Sequence, residues 1–334
     1  MNGSLGTRTK STCQAAFDAP ILSDPDKRWQ IGAVQSSTDK RFASHEEFLR
    51  GGWTSLRWLH ANGSQQTFAY NGYWRQVRNL LENASPSVRA EAGNSFKSSI
   101  SYTWMTDRRN HAFLPSSGYS IKTNSELAGW GPLKGDVAFW KSEILTQTAF
   151  GITVPGVKGE SGVTFTTGFR AGMLYPLALG GKPNPEPSHI NDRFQLGGPV
   201  DVRGFRLAGL GPRDGSDAVG GDLYAAGSAN LLVPLPRLGR ESPLRIQAFL
   251  TGGRLLPLRN PRGNGEMSSE DVRQGMYDAI RQLGDGLPTT SAGIGLVYAH
   301  PAARFELNFS LPLVMRKGED ARKGLQLGVG MEFL

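Results

Sequence analysis

The residues best equipped for chemistry sit in one short segment of the 334-residue chain, Phe194-Gln-Leu-Gly-Gly-Pro-Val-Asp-Val-Arg-Gly-Phe205. Its strongest functional group is the guanidinium of Arg203, set between Val202 and Gly204. A guanidinium presents five donors in a rigid fork, so it suits the gripping of acceptors better than acid–base work. Gly197 and Gly198 let the backbone turn tightly, and Pro199 stiffens the turn beside them. On residue types alone, this is a structured loop with an arginine anchor. Elsewhere the groups that usually carry catalysis are present but not assembled. The histidines His45, His60, His111, His189 and His300 are scattered without metal-ligand spacing. His45-Glu46-Glu47 lacks the second histidine of a zinc-protease helix and reads as a solvated loop or strand start. Gly209-Leu210-Gly211 opens like a dinucleotide fingerprint, but Asp214 stands where the third glycine belongs. Nucleophile elbows and phosphate-binding glycine–lysine runs do not occur. The acidic pairs Glu46/Glu47 and Glu319/Asp320 fall in expected loops. These observations point away from an enzyme and imply no cofactor and no metal.

The elements that must position Arg203 read as strands. Phe305, Leu307, Phe309, Leu311 and Leu313 alternate with Glu306, Asn308, Ser310 and Pro312. Leu325, Leu327, Val329, Met331 and Phe333 alternate with Gln326, Gly328, Gly330 and Glu332. Ile294, Leu296 and Tyr298, and Leu244, Ile246, Ala248 and Leu250, repeat the same period of two. Upstream candidates are 9–19, 28–38, 50–60, 65–78, 96–106, 118–130, 136–149, 162–176 and 222–234. In these, Phe96, Ile100, Tyr102 and Trp104 oppose Lys97, Ser99, Ser101 and Thr103. Such strands suit either a membrane barrel or a sandwich with one wet face, and periodicity does not separate them. Trp29, Trp53, Trp74, Trp130 and Trp140 recur near strand ends, as in the aromatic girdle of a barrel. Turns read as short on one side (Gly131-Pro132-Leu133, His300-Pro301-Ala302) and long on the other. Residues 179–221 carry the arginine loop. Residues 257–288 carry a capped amphipathic helix with Val272, Met276, Ile280 and Leu283 as its apolar stripe. Strand parity opens both long connections on the same face.

Composition agrees with a barrel. The chain is 38% hydrophobic with a mean hydropathy of −0.34, the averaged-out value expected when lipid-facing and lumen-facing residues alternate. No apolar run approaches the ~20 residues of a spanning helix, and no leader is visible at Met1. The formal charge of +8 suits anionic surroundings, but aromatics and basic residues are not interleaved as in nucleic-acid binders. Cys13 is the single cysteine, which excludes an intrachain disulfide.

The full string around Val202-Arg203-Gly204-Phe205 resembles the signature loop of the BamA-type outer-membrane insertases. The likeness runs from about Gly3 to Leu334 and is nearest to the family's mitochondrial branch, the channel subunits of the sorting and assembly machinery in their fungal form. The resemblance implies an all-β transmembrane antiparallel barrel, sixteen-stranded in the family, of which thirteen to fourteen strands are present here. It also implies that 179–221 folds into the lumen. Residues 1–334 would form the C-terminal barrel domain, without the upstream POTRA domain and first strands. The implied function is insertion and folding of β-barrel proteins in the mitochondrial outer membrane, by templating strands at a lateral gate. Its partners would be other subunits on the cytosolic side, barrel precursors and membrane lipids. The signature residues would be Gly197, Gly198, Val202, Arg203, Gly204 and Phe205. Bacterial relatives pair the arginine with an acid in the strand that here reads Phe249-Leu250-Thr251-Gly252-Gly253, so Arg203 must find neutral acceptors or a carboxylate elsewhere. Gln326, Gly328, Met331 and Phe333 match the C-terminal strand signal of mitochondrial barrel clients. A passive pore or two-partner secretion transporter sharing the barrel, and a soluble β-rich binding module, are the competing readings.

Overall fold

The computed structural model describes residues 2–4, 9–153, 161–180, 182–235, 242–258, 267–301 and 303–330. Among the described residues, fourteen strands make one antiparallel sheet in which each strand pairs with the sheet's next strand along the chain. They are β1 (Asn2–Ser4), β2 (Thr9–Ile21), β3 (Asp24–Lys40), β4 (His45–Leu59), β5 (Ser64–Arg78), β6 (Gly93–Asp107), β7 (Gly118–Ala128), β8 (Phe139–Ile152) and β9 (Val163–Pro176), followed by β12 (Leu223–Pro234), β13 (Leu244–Leu256), β14 (Thr289–His300), β15 (Ala303–Val314) and β16 (Gly324–Gly330). Between β9 and β12 lies a separate small hairpin, β10 (Arg213–Asp214) with β11 (Asp217–Ala218). Two helices, α1 (Pro86–Ala90) and α2 (Ser269–Gly284), sit in connections. Strands such as β7 and β3 run 11 and 17 residues, enough for the ~9–11 of a tilted bilayer crossing. No helix among the described residues is long and apolar enough to cross a membrane.

Burial inverts the order of a soluble protein. On β15, Arg304, Glu306, Asn308 and Ser310 are buried, while Phe305, Leu307, Phe309, Leu311 and Leu313 are exposed. On β16, Gln326 is buried, whereas Leu325, Leu327 and Val329 are more than half exposed. A sandwich would bury the apolar face. An apolar exterior over a polar interior is the arrangement of a barrel in lipid, which settles what periodicity left open. Trp29, Trp74, Trp130 and Trp140 lie outward in this belt. Trp53 departs from the expected girdle. It is in register with Asn71 and through it Ser99, the lumen-facing row, and its ring fills the space beside Gly32.

The connections divide between the two ends by strand parity. One end carries 41–44, 79–92, 129–138, 177–222, 257–288 and 315–323. The other carries 22–23, 60–63, 108–117, 153–162, 235–243 and 301–302. Gly131-Pro132-Leu133 therefore belongs to the end with the long loops, not with the short turn at Pro301 as expected. Parity does place 177–222 and 257–288 together. The sequence stripe for α2 is off by one position: Val272, Met276 and Ala279 are buried while Ile280 is half exposed. The helix starts from a capping box in which Ser268 Oγ accepts from the Asp271 N–H at 3.2 Å. It packs on Leu223, Met173 and Tyr175, which point outward from β12 and β9, and Arg254 Nη1 donates to the Asp285 carbonyl at 2.5 Å. The helix thus braces the outer wall at the long-loop end.

Candidate functional site

The loop between β9 and β12 turns back into the barrel because it has its own apolar face. Phe194, Leu196, Val202, Phe205 and Leu210 bury against Phe139, Leu174, Tyr224 and Leu255 of the inner wall. Backbone bridges Leu196↔Leu210 and Phe194↔Gly221 draw the loop's limbs together. At its tip, the Gly197 N–H donates to the Asp201 carboxylate at 2.8 Å, and the Gly198 N–H to the Val202 carbonyl at 3.3 Å. Asp201 in turn forms an ion pair with Arg170 of β9.

Val202-Arg203-Gly204-Phe205 is the buried centre. Arg203 has no solvent exposure. Its Nε donates to Glu306 Oε2 at 2.9 Å and its Nη2 to Oε1 at 3.2 Å, a two-point grip on β15. Its Nη1 reaches Asn230 Oδ1 at 3.4 Å, and the guanidinium lies 5.0 Å from the Phe249 ring centroid. Glu306 also serves Arg304 at 2.6 Å and accepts from Asn308 Nδ2 at 2.8 Å. One carboxylate thus holds two guanidiniums. Ser291 Oγ donates to the Arg203 carbonyl. Gly204 adopts φ 82°, and a Cβ there would stand 3.0 Å from Ser291 Cβ, so only glycine fits both torsion and space.

The same residues are clasped by the last strand. Gln326 Oε1 accepts from the Gly204 N–H at 2.8 Å, and its Nε2 donates to the Phe205 carbonyl at 3.2 Å. The Arg322 N–H donates to the Gly204 carbonyl at 2.8 Å, and Phe205 bridges to Ala321. Gly328 faces the lumen, where a Cβ would meet the Pro199 carbonyl at 3.2 Å and Val200 Cγ1 at 3.3 Å. Gln326 and Gly328 therefore lie on the signature loop itself. Met331 and Phe333 lie outside the described residues.

A second anchor holds the loop's first limb. Arg75 Nη1 donates to Asp192 Oδ1 at 2.6 Å, Lys97 approaches within 3.5 Å, and Lys141 Nζ donates to the Asp192 carbonyl at 2.8 Å. Burial would raise the Asp192 carboxyl, but the charges of Arg75 and Lys97 outweigh it and hold the group below its ordinary 3.8. At the rim, Asp217 accepts from Ser44 Oγ at 2.5 Å and the Ser85 N–H at 2.8 Å. Glu46, read from sequence as part of a solvated loop or strand start, does stand at the start of β4 but is buried there, accepting from Asn79 Nδ2 at 2.5 Å and Lys10 Nζ at 3.1 Å.

The acid that Arg203 requires is Glu306, 103 positions along the chain. Its signal was present: a lone carboxylate on the polar face of an otherwise regular strand, Phe305-Glu306-Leu307-Asn308-Phe309. Asn230, Ser291 and Arg304 carried no comparable mark. The strand in which the resemblance led one to look for the acid supplies Phe249, which offers its ring face to the same guanidinium.

Comparison with known proteins matches residues 4–333 to the Omp85 superfamily domain. A SAM50-like protein of Schizosaccharomyces pombe is 38% identical over 334 residues, covering 100% of this chain and 65% of the relative. The sorting assembly machinery 50 kDa subunit of Saccharomyces cerevisiae is 33% identical, covering 99% and 58%. The chain thus spans 65% and 58% of the length of these curated relatives. Among solved structures, BamA from Haemophilus ducreyi lacking POTRA domains 1–3 superposes with a TM-score of 0.74 at 16% identity, covering 98% of this chain and 63% of that one. CdiB from Acinetobacter baumannii superposes with a TM-score of 0.51 at 11% identity, covering 96% and 49%. At these identities the two structures bear on the fold alone.

Proposed function

Because the chain belongs to the Omp85 superfamily, we propose that it is the barrel of a mitochondrial outer-membrane insertase, which receives β-barrel precursors and folds them into the bilayer. The full-length relatives named for the sorting and assembly machinery support this assignment over a passive pore. So does the loop that occupies the lumen. No enzymatic step is involved. A client strand entering hydrocarbon must pair its N–H and C=O groups, each costing several kcal/mol if left bare. In this mechanism a strand edge of the barrel serves as the template, by β-augmentation.

The observation that carries this reading is the clasp between the signature loop and β16. Gln326 answers the loop's Gly204 and Phe205 backbone, and Gly328 admits Pro199 and Val200. A client strand with the same polar-x-glycine spacing carries the same two features to the same loop. Other assembly subunits dock at the end bearing 177–222 and α2, which faces the cytosol. Site-specific crosslinking tests the proposal. With Cys13 replaced by serine, a cysteine at Val329 or Val200 should capture a barrel precursor arrested during import. A passive pore would give no adduct while remaining resistant to carbonate extraction.

A further inference from the structure

The lipid-facing wall carries a cation that the signature-loop network does not use. Arg50 on β4 has the parity of the outward Leu56 and Trp58, and it is exposed. In register it lies between Gln35 of β3 and Trp74 of β5. Among the described residues its guanidinium has no hydrogen-bond or ion-pair partner. Other cations at this end of the wall are paired, since Arg78 and Lys10 bond Glu46 at 3.3 and 3.1 Å. We propose that Arg50 and the groove beneath it bind one anionic phospholipid, with its phosphate on the guanidinium and an acyl chain along the wall. This rests on the barrel's place in a bilayer and not on the insertase reading.

The groove follows from side-chain size. One row further from the long-loop end, Ala33, Gly52 and Gly72 stand side by side on β3, β4 and β5. A Cβ on Gly72 would meet nothing nearer than the Phe96 ring tip at 3.8 Å, so the chain's own packing leaves this ledge open. Beyond it lies a groove of about 330 Å³ lined by Trp29, Thr54, Leu56, Phe68, Tyr70 and Ile100. The polar atoms of these side chains are matched within the wall. Trp29 Nε1 donates to Thr54 Oγ1 at 2.8 Å, and Thr54 Oγ1 to the Gln30 carbonyl at 3.2 Å. The Tyr70 and Ser98 hydroxyls lie 3.1 Å apart. With its donors and acceptors satisfied, the groove suits hydrocarbon better than a polar ligand.

Depth places the headgroup. Outward tryptophans favour the membrane–water interface, and Trp74 holds Arg50 in that row. A guanidinium on a long apolar stem reaches phosphate from there and grips it with two donors. Thr54 follows Arg50 by four positions, about 14 Å along the strand, the reach from a phosphate into the upper part of an acyl chain. A soluble phosphate compound would leave the groove unfilled. The occupant is therefore a lipid of the leaflet at the long-loop end.

The test uses the 334-residue chain in neutral detergent, adding phosphatidylglycerol or phosphatidylcholine with brominated acyl chains and reading tryptophan quenching. Bromine quenches indole at contact, so an occupied groove darkens Trp29. Saturable quenching is expected at about fivefold less phosphatidylglycerol than phosphatidylcholine, the worth of one arginine near a membrane surface. Arg50→Gln should erase that preference, and Arg50→Lys should keep it. Gly72→Leu should fill the ledge and remove the saturable component for both lipids. Glycerol phosphate, which has no chains, should not compete. Equal quenching by the two lipids with the unaltered chain overturns the proposal. So does a saturable component that survives Trp29→Phe, because the lipid then sits elsewhere, and so does a preference retained by Arg50→Gln. Competition by glycerol phosphate refutes the lipid assignment. Should Arg50→Gln not yield a heat-modifiable barrel, the two-lipid comparison and the Trp29→Phe chain decide alone. None of these readouts involves a precursor, so the insertase reading stands or falls separately.

Discussion

Glu306 should matter more than the signature arginine it holds. Arg203→Met removes a two-point grip at 2.9 and 3.2 Å but leaves Glu306 paired with Arg304 at 2.6 Å, one charge against one. The methionine stem still packs on Phe249. The expected cost is about 3 kcal/mol, the lower end for breaking a buried pair. Glu306→Gln instead leaves Arg203 and Arg304 buried side by side with no carboxylate between them. That places the loss at about 5 kcal/mol, the upper end of the same range. A gap of ~2 kcal/mol corresponds to roughly a thirtyfold difference in the population of undocked loop. The assay is urea unfolding in detergent, followed by heat-modifiable gel mobility and by tryptic cleavage after Arg206 and Arg213. Faster cleavage and a lower urea midpoint are expected for Arg203→Met, and larger changes for Glu306→Gln. If Glu306→Gln proved as stable as Arg203→Met, the sharing of one carboxylate by two guanidiniums would not be what holds the loop.

Gln326→Leu removes both side-chain bonds to the Gly204 and Phe205 backbone; amide exchange at Gly204 should accelerate by the equivalent of ~1–3 kcal/mol. Gly328→Val forces a side chain into the 3.2 Å gap below the Pro199 carbonyl, so the loop tip should become protease-sensitive while carbonate-resistant insertion persists. Asp192 sits below its ordinary 3.8 because Arg75 and Lys97 prevail over burial. Its contribution is therefore fully present above pH 3.8 and is lost as pH falls through the lower folded value. Asp192→Asn should lower the unfolding midpoint at pH 7 and flatten its fall below pH 4. Ser268→Ala deletes the cap of α2 and should cost about 1 kcal/mol, read as local exchange in 269–284 with the barrel intact.

Strands and their faces were legible because a period of two is a local property: once Phe305, Leu307 and Phe309 share a face, Glu306 and Asn308 must share the other. The signature string and its arginine were equally local, and so was the capped start of α2. Which face met water was not, because a sandwich and a barrel share the same alternation; only the curling of the sheet around a polar interior turned the apolar side outward. Partner identity was also beyond sequence. Glu306 is one of several inward polar residues, and it becomes Arg203's acceptor only through the register of β14, β15 and β16 around the loop. The buried state of Glu46, the lumen-facing ring of Trp53 and the end to which Gly131-Pro132-Leu133 belongs followed from pairing and strand parity across the whole sheet. Gln326 and Gly328 were recognised as a strand pattern, but their contact with the loop depends on residues 122 positions apart meeting in one lumen. Alternation is written residue by residue along a chain, whereas a hydrogen bond between a loop and a distant strand exists only once every intervening register is set.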